Sequence, residues 1–564
     1  MTSAYPSMDQ YNDAVQHAGT AFIDPVLKGG KVATNGLGLP IALGGSFALT
    51  YMVTTSARKF AVRCFHKAAN GLETRYPKIS HTLNTIGMQY FVGFEYQIQG
   101  ILVNGLKFPI VKMDWVEGDT LGLYLERANG DITTLTQLQK KFRELEQFLR
   151  DKSLAHGDLQ TGNLVVNGGL KLVDYDGVYV PGLPTGQGTE VGHKHFQHPK
   201  RSALDFGPNM DRFSFITIDL SLRALIERPI LFKRFSTGDN IIFTANDLAD
   251  PYSSPLFAEL GTLPAFTEDI QKFARICTAP VSGVPSFPDF VAGRNIPPEV
   301  AIRARPATGG ATPYIGAYDV LDATNFDAVL RHVGDRIELV GQITDVSVRR
   351  SRYGRPYVFI NFGHWKGRIT KINIWSDGLK KIPMQFNEGL VGKWVSVIGL
   401  VDPPYTSARH KYTHLSITLT EANQMRVIDP AEARRRLAVK VTAAGSGQGN
   451  KAILDAIDNR TISERIKPGA AGQHPGAVRS ASSARPSRRA GGVIDRVSSG
   501  ASRNHPGSVG FGGTAPGSLN SAAARNAAVL AKIRQQPSTP TAAQPTPAAR
   551  PVSAWARLRQ WLLG

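Results

Sequence analysis

Cysteine is almost absent: 564 residues carry two, Cys64 and Cys277. Two thiols exclude a disulfide-dense scaffold and any zinc cluster built on cysteine. Each sits in an apolar run, AVRCF or FARICTA, which predicts buried free thiols in a reducing compartment. Long hydrophobic runs are missing as well. No stretch reaches the roughly 18 uninterrupted apolar residues that a membrane span requires. The opening MTSAYPSMDQYND has neither the basic stretch nor the apolar core of a secretory leader. The expectation is a soluble, cytoplasmic protein. Negative charge is in short supply, with 45 Asp and Glu against 65 Lys and Arg, a formal balance of +20. With 42% hydrophobic residues most of the chain still has the apolar surface to fold. At about 100–200 residues per domain the length asks for more than one core.

The positive balance is local. From Leu437 to Gly564 there are 17 Lys and Arg against 4 Asp and Glu, a net +13, in stretches such as SASSARPSRRAGG and QQPSTPTAAQPTPAARP. That composition cannot supply a core. Residues 429–564 are read as a basic low-complexity tail, relieved by short helical patterns at 520–536 and 553–563. Such a tail attracts polyanions in a salt-sensitive way; acidic proteins and anionic lipids are the alternatives. Upstream, a Pro/Gly/Ala linker at 296–316, IPPEVAIRARPATGGATPYIG, separates two compact regions. The first begins extended (KFAVRCF, FPIVKMDWV) and turns helical (TQLQKKFRELEQFLR, DRFSFITIDLSLRALI). This predicts an α+β, two-lobed unit, sheet-rich over 20–116 and helical over 117–295, behind a flexible segment 1–19. The second, 317–428, holds five strand-like runs: RIELVGQITDVSV, PYVFINF, RITKINIW, KWVSVIGLV and HLSITLT. Five short strands in such a length predict a small all-β barrel.

The most informative stretch is LAHGDLQTGNLVVNGGLKLVDYDGVYVP, residues 154–181. A loop with His156, Asp158 and Asn163 is followed by an apolar hairpin that ends on Asp174. Phosphoryl transfer to a hydroxyl needs a carboxylate that orients the acceptor and takes its proton, and oxygen ligands that hold Mg²⁺ on the phosphates. One loop and one hairpin bring all three groups to one mouth. Asp158 is the candidate base, Asn163 and Asp174 the candidate metal ligands; the plain alternative is a polar turn and a hairpin end. The H-x-D-L-x-x-x-N order with its hydrophobic-D sequel resembles the catalytic loop and metal-binding motif of the protein-kinase-like superfamily. HGDLQTGN is nearer the aminoglycoside-phosphotransferase and atypical-kinase side of it.

The resemblance implies further roles. LGGSFALTYMV, with Gly44 and Gly45, precedes KFAVRCF as a phosphate-covering hairpin precedes the strand with the ion-pairing cation. That cation is Arg63, a lysine in the family; a surface strand charge is the alternative. MDWVEGDTL resembles a hinge, with Met113 as gatekeeper and the backbone of Asp114 and Val116 facing an adenine edge. Glu73 in NGLETRYPKI is the candidate carboxylate for Arg63, an exposed helix charge being the commoner case. Lys112 should face away from the nucleotide by strand alternation. HFQHPKR followed by MDRFSFITIDLSL resembles the end of an activation segment and the helix whose Asp211 braces the loop. The sequence also departs from the family. Gly157 stands for the arginine of H-R-D, removing a receptor for a phosphorylated segment, and Gln160 stands for a lysine. Leu43 and Ala48 occupy positions where glycines are expected. Asp176 adds a carboxylate, as a second metal ligand or a turn cap. The implied cofactors are ATP and Mg²⁺ or Mn²⁺, and the implied partner is a protein with a Ser or Thr hydroxyl. A pseudokinase scaffold and a small-molecule kinase are the competing readings.

The five-strand region resembles an OB-fold, whose loops and middle strands often contact oligonucleotides. VRRSRYGRPY supplies Arg349, Arg350, Arg352, Tyr353 and Arg355, and PPYTSARHKY supplies Tyr405, Arg409, Lys411 and Tyr412. Lys371, Tyr357 and Trp375 lie on the middle strands. Single-stranded nucleic acid needs cations along its phosphates and rings for stacking, the latter worth about 1–3 kcal/mol per base. A barrel that holds a protein partner is the alternative.

Overall fold

The computed structural model describes residues 5–34, 38–44, 47–67, 71–299, 313–351, 354–382, 384–407 and 410–438. Gly45, Arg352, Tyr353, Arg409, most of the linker and the tail after 438 with both its helical patterns lie outside the described residues.

Apolar runs in the first region pair into one antiparallel sheet. Its strands are β1 (Lys31–Val32), β2 (Leu43–Gly44), β3 (Ala48–Thr54), β4 (Lys59–Phe65), β5 (Phe94–Val103) and β6 (Leu106–Asp114), in the order β1-β3-β4-β6-β5 with β2 on β3. β3 and β4 are buried almost throughout because both faces are covered. The helix Leu72–Ile86 lays Tyr76, Ile79 and Leu83 on one face. Residues 8–27 cover the other, with Tyr11, Val15, Phe22 and Leu27 against Tyr51, Val62 and Ile110. This differs from the flexible segment expected over 1–19. Met8, Tyr11 and Val15 fall on one face of the helix Met8–Val15, and a Ser7 capping box closes its first turn. Tyr11 then donates to the Phe65 carbonyl at 2.7 Å, and Tyr51 to Asn12 Oδ1 at 2.8 Å.

The helical lobe is built on two long helices. Asp131 caps Ile132–Asp151 by accepting from Thr134 N at 3.0 Å, and the apolar period buries Leu135, Leu138, Phe142, Leu145 and Leu149. Its neighbour Arg212–Glu227 is buried nearly all round. Beside them β7 (Asp119–Thr120) pairs with the hairpin β8 (Leu164–Asn167) and β9 (Gly169–Leu172). Cys64 on β4 and Cys277 in the helix Thr267–Thr278 are buried, free thiols.

The C-terminal region contains β10 (Val320–Asp322), β11 (Arg336–Gln342), β12 (Asp345–Arg350), β13 (Pro356–Asn361), β14 (Arg368–Ile374), β15 (Trp394–Ser407), β16 (Tyr412–Leu419) and β17 (Met425–Ile428). The path runs β10-β11-β15-β16-β14-β13-β12, with β17 on β15 and with β14 and β16 parallel. RIELVGQITDVSV, read as one strand, breaks at Ile343–Thr344, where β11 leaves β15 and β12 joins β13. The ladders form an open path, and no closed barrel is seen among the described residues. The first part of the expected tail is a helix, Pro430–Leu437, whose Ala433 packs on Val320 and Val340. Among the described residues no helix is long and apolar enough to cross a membrane.

Tyr11→Phe removes the donor to the Phe65 carbonyl and keeps the ring. The expected cost is about 0.5–1.5 kcal/mol, measured as a lower urea midpoint with an unchanged slope.

Candidate active site

The loop 156–163 is held from three sides. Asp211, buried at the start of the helix Arg212–Glu227, accepts from Gly157 N at 2.8 Å and from His156 N. The His156 ring meets the Val173 carbonyl at 3.0 Å, and Val173 N donates to the Asn163 carbonyl at 3.1 Å. These bonds place Asp174, the next residue, at the same end of the hairpin as Asn163, with a left-handed φ of 68°. Gly157 has φ +85°, and a Cβ there would lie 2.4 Å from the Gly177 carbonyl oxygen. Only glycine fits, which is the local reason that no arginine stands there.

Asp158 collects three donors. His193 N reaches Oδ1 at 2.7 Å, while Gln160 Nε2 and Asn163 Nδ2 each reach Oδ2 at 2.9 Å. Asn163 also donates to the Asp158 carbonyl at 2.9 Å. Its amide nitrogen is committed, and its Oδ1 takes no hydrogen bond among the described residues.

Arg63 reaches in from β4. Its guanidinium spans Asp174 and Asp176, with Nη2 2.5 Å from Asp176 Oδ2 and Nη1 on Asp174 Oδ1. Burial works against its charge, but the two carboxylates more than offset this and hold it protonated. Burial pushes the Asp176 carboxyl up, opposed by Arg63, and Tyr76 donates its hydroxyl to the second oxygen. Asp176 is therefore a buried counterion of Arg63, beyond the two roles expected of it. Glu73, the expected partner, is exposed in the first turn of its helix, and the hairpin supplies the carboxylates instead. From the same helix Arg75 donates to the Asp176 carbonyl at 3.0 Å and to Thr189 Oγ1 at 2.8 Å.

On the hinge side Met113 is buried and Val116 half-buried. Asp114 N donates to the Gly93 carbonyl and Trp115 N to the Lys59 carbonyl, both at 3.0 Å, so the Asp114 amide is not open to an adenine edge. Lys112 turns outward to Asp24 and Glu95, as alternation requires. Gly44 lies against the C-terminal region: a Cβ there would meet Leu400 Cδ1 at 2.3 Å.

Several residues of the site went unnoticed in the sequence. Gln197 Nε2 and Arg201 Nη1 donate to the Gly157 carbonyl at 3.3 and 3.0 Å. Burial, with Asp158, Asp174 and Asp176 nearby, pushes the Glu190 carboxyl well above the usual range. Asp239 sits between His193 and His195, 3.6 Å from each ring. Burial alone would raise its carboxyl, but the two histidines hold it well below the usual value. The available signal was HKHFQH, three histidines in six residues. A cavity of about 390 Å³ opens behind them, lined by His195, Asp239, Asn246, Tyr314, Glu338 and Arg426. Among the described residues no three His, Cys, Asp or Glu side chains form a metal cage.

In the C-terminal region Arg349, Arg350, Arg355 and Lys411 are exposed. Among the described residues Arg349 and Arg350 bond locally, to Ser347 Oγ and the Gly354 carbonyl at 3.1 Å each. Lys371, Tyr357 and Tyr412 are 3%, 3% and 4% exposed, so they form no open stacking platform. The outward positions of these strands pack on one another instead: Tyr357, Phe359, Trp375 and Tyr405 cluster, and Lys371 Nζ lies 4.1 Å from the centre of the Phe359 ring.

No family model and no curated protein matches the chain. Among solved structures it is similar to two crystal structures of the Mycobacterium tuberculosis PknI kinase domain, both at 15% identity. The first has a TM-score of 0.30 and covers 49% of this chain and 97% of that one; the second has 0.31, with 49% and 96%. At those scores the likeness carries no argument about activity.

Gly157→Ala should force the loop off the Gly177 carbonyl. The expected loss is roughly 1–3 kcal/mol from the backbone conformation alone, checked by the thermal midpoint.

Proposed function

We propose that the chain is a kinase-like phosphotransferase that moves the γ-phosphoryl group of ATP to a hydroxyl, the acceptor being a Ser or Thr of a protein. The observation that carries this reading is the direct contact of Asp158 with Asn163, linked through Val173 to Asp174. In this reading Asp158 orients the acceptor hydroxyl and takes its proton. Asn163 Oδ1 and the half-exposed Asp174 carboxylate would hold the metal. Hard oxygen donors, one carboxylate and one amide, suit Mg²⁺ or Mn²⁺, since Mg²⁺ commonly takes one or two protein ligands beside phosphate and water. When bound, the ion and nucleotide supply charge neutralisation and the transferred group. Arg63 secures Asp174 rather than steadying the phosphates, and Asp211 fixes the loop amides. The competing reading is a pseudokinase scaffold, favoured by the commitment of Arg63 to two carboxylates and of Asp158 to three donors.

The C-terminal strands are part of the same proposal, as an OB-like unit. Counting β11 and β12 as two halves of one bent strand brings the path back on itself, with the parallel β14–β16 pair inside it. The exposed Arg349, Arg350, Arg355 and Lys411 support contact with a single-stranded nucleic acid through phosphates, and the basic tail would add to it.

Labelled-ATP turnover with Mg²⁺ or Mn²⁺ and protein acceptors tests the enzyme. Asp158→Ala should lower turnover by about 10²–10⁴-fold, the usual contribution of a general base. Retained turnover would reject the assigned base, and no turnover in the wild type despite nucleotide binding would select the scaffold. For the second domain, Arg349→Ala, Arg350→Ala and Lys411→Ala together should reduce the slope of log K for oligonucleotide binding against log salt by about 2. An unchanged slope would remove the nucleic-acid proposal.

A further inference from the structure

Residues 189–198 lie over the catalytic loop: Arg75 binds Thr189 at one end, Ser214 and Ala245 bind Phe196 and His195 at the other, and between them His193 is met by a residue more than a hundred positions downstream. Their geometry begins with a glycine. Gly192 has φ +83°, and a Cβ at this position would be 2.6 Å from the Gly157 carbonyl oxygen and 2.9 Å from Asp158 Oδ1. The next amide, His193 N, donates to that same Oδ1 at 2.7 Å. Both oxygens of Asp158 therefore have donors. Those on Oδ2, Gln160 and Asn163, belong to the loop itself. The donor on Oδ1 belongs to the segment. An acceptor hydroxyl has to come within about 2.6–3.2 Å of the base, and on the Oδ1 side the Gly192–His193 peptide already fills that shell.

The C-terminal domain meets the segment at His193. Its buried ring lies 3.6 Å from Asp239 on one side and meets Tyr318 edge-on at 5.6 Å and 78° on the other. Tyr318 is carried by the strap that enters the C-terminal domain. The strap is tied to the helical lobe by Asn246, which donates to the Pro313 carbonyl at 2.9 Å and accepts from Ile315 N at 3.0 Å. Arg336 of β11 covers the Tyr318 ring at 4.8 Å. The domain behind it grips both lobes. Asn423 donates to the Gly238 carbonyl at 3.0 Å and Arg426 to the Ser236 carbonyl, both in the helical lobe. Asp335 pairs with Lys67 at 2.6 Å, and Leu400 packs on Gly44, both in the sheet lobe.

We propose that the C-terminal domain is a latch: through Tyr318 and His193 it clamps the Gly192–His193 peptide onto Asp158 and keeps an acceptor out until the domain lets go. The proposal rests on the phosphotransfer reading for what is excluded, while the clamping can be measured without it.

The test uses the full chain in two forms, Tyr318→Ala and the interface pair Lys67→Glu with Leu400→Asp. Hydrogen exchange is followed in peptides spanning 189–198, with the helix 212–227 as a control for folding, and ATP turnover is measured in parallel. In both forms exchange in 189–198 should rise by about tenfold or more while 212–227 is unchanged. Turnover should rise with it and be abolished by adding Asp158→Asn. Unchanged exchange in 189–198 would overturn the latch whatever turnover does, as would faster exchange without gain in a protein that turns over. Faster exchange with no turnover in any form would uphold the clamp and reject the phosphotransfer reading instead.

Discussion

A buried cation shared by two carboxylates ties the sheet lobe to the hairpin of the helical lobe. Arg63 comes from the sheet, Asp174 and Asp176 from the end of the hairpin more than a hundred residues later, and Tyr76 from the helix between them. Removing such charges from water costs several kcal/mol per ion, recovered only where geometry is good and remaining hydrogen-bond capacity is met. A planar fork can serve two carboxylates at once, where a lysine ammonium acts as a single point of charge. The departure from the lysine of related motifs is therefore coherent with its surroundings. With Asp176 added, the position needs a residue that bridges, and arginine bridges.

The same coherence extends into the loop. Gly157 lies against the Gly177 carbonyl, Gly192 against the Gly157 carbonyl and the Asp158 carboxylate, and Gly177 against the Glu190 carboxyl, so that none of the three has space for a side chain. An arginine at 157 has no place, and Gln197 and Arg201 join Asp211 in bracing the loop. Hydrogen-bonded networks of this kind act as units, since losing one member leaves buried neighbours unsatisfied. Strictness around Asp158 and the grip of the C-terminal domain are thus two ends of one chain of contacts.

Much of this was legible in the sequence, and the limits are instructive. LVVNGGLKLVD announced a hairpin because apolar residues flank a turn, and the helix Ile132–Asp151 announced itself by its period. Spacing did not say that Tyr76 rather than Glu73 would face the site, because a helix pattern gives a face and not the partner that waits opposite it. The helix Met8–Val15 is only eight residues long, too short for periodicity to separate it from a loop. Alternation in β13 and β14 separated two faces but could not tell that the outer one, with Tyr357 and Lys371, is covered. His193, Asp239 and Tyr318 were out of reach for a different reason: they meet only because distant segments dock.

The two thiols gain a use from where they are buried. Cys64 lies in the sheet lobe and Cys277 in the helical lobe, and burial pushes both well above the ordinary thiol value. A thiol in that state resists alkylation and oxidation until water reaches it. Nature has thus left one silent chemical probe in each half of the unit. Whichever cysteine a small electrophile labels first identifies the half that breathes first, without an engineered tag.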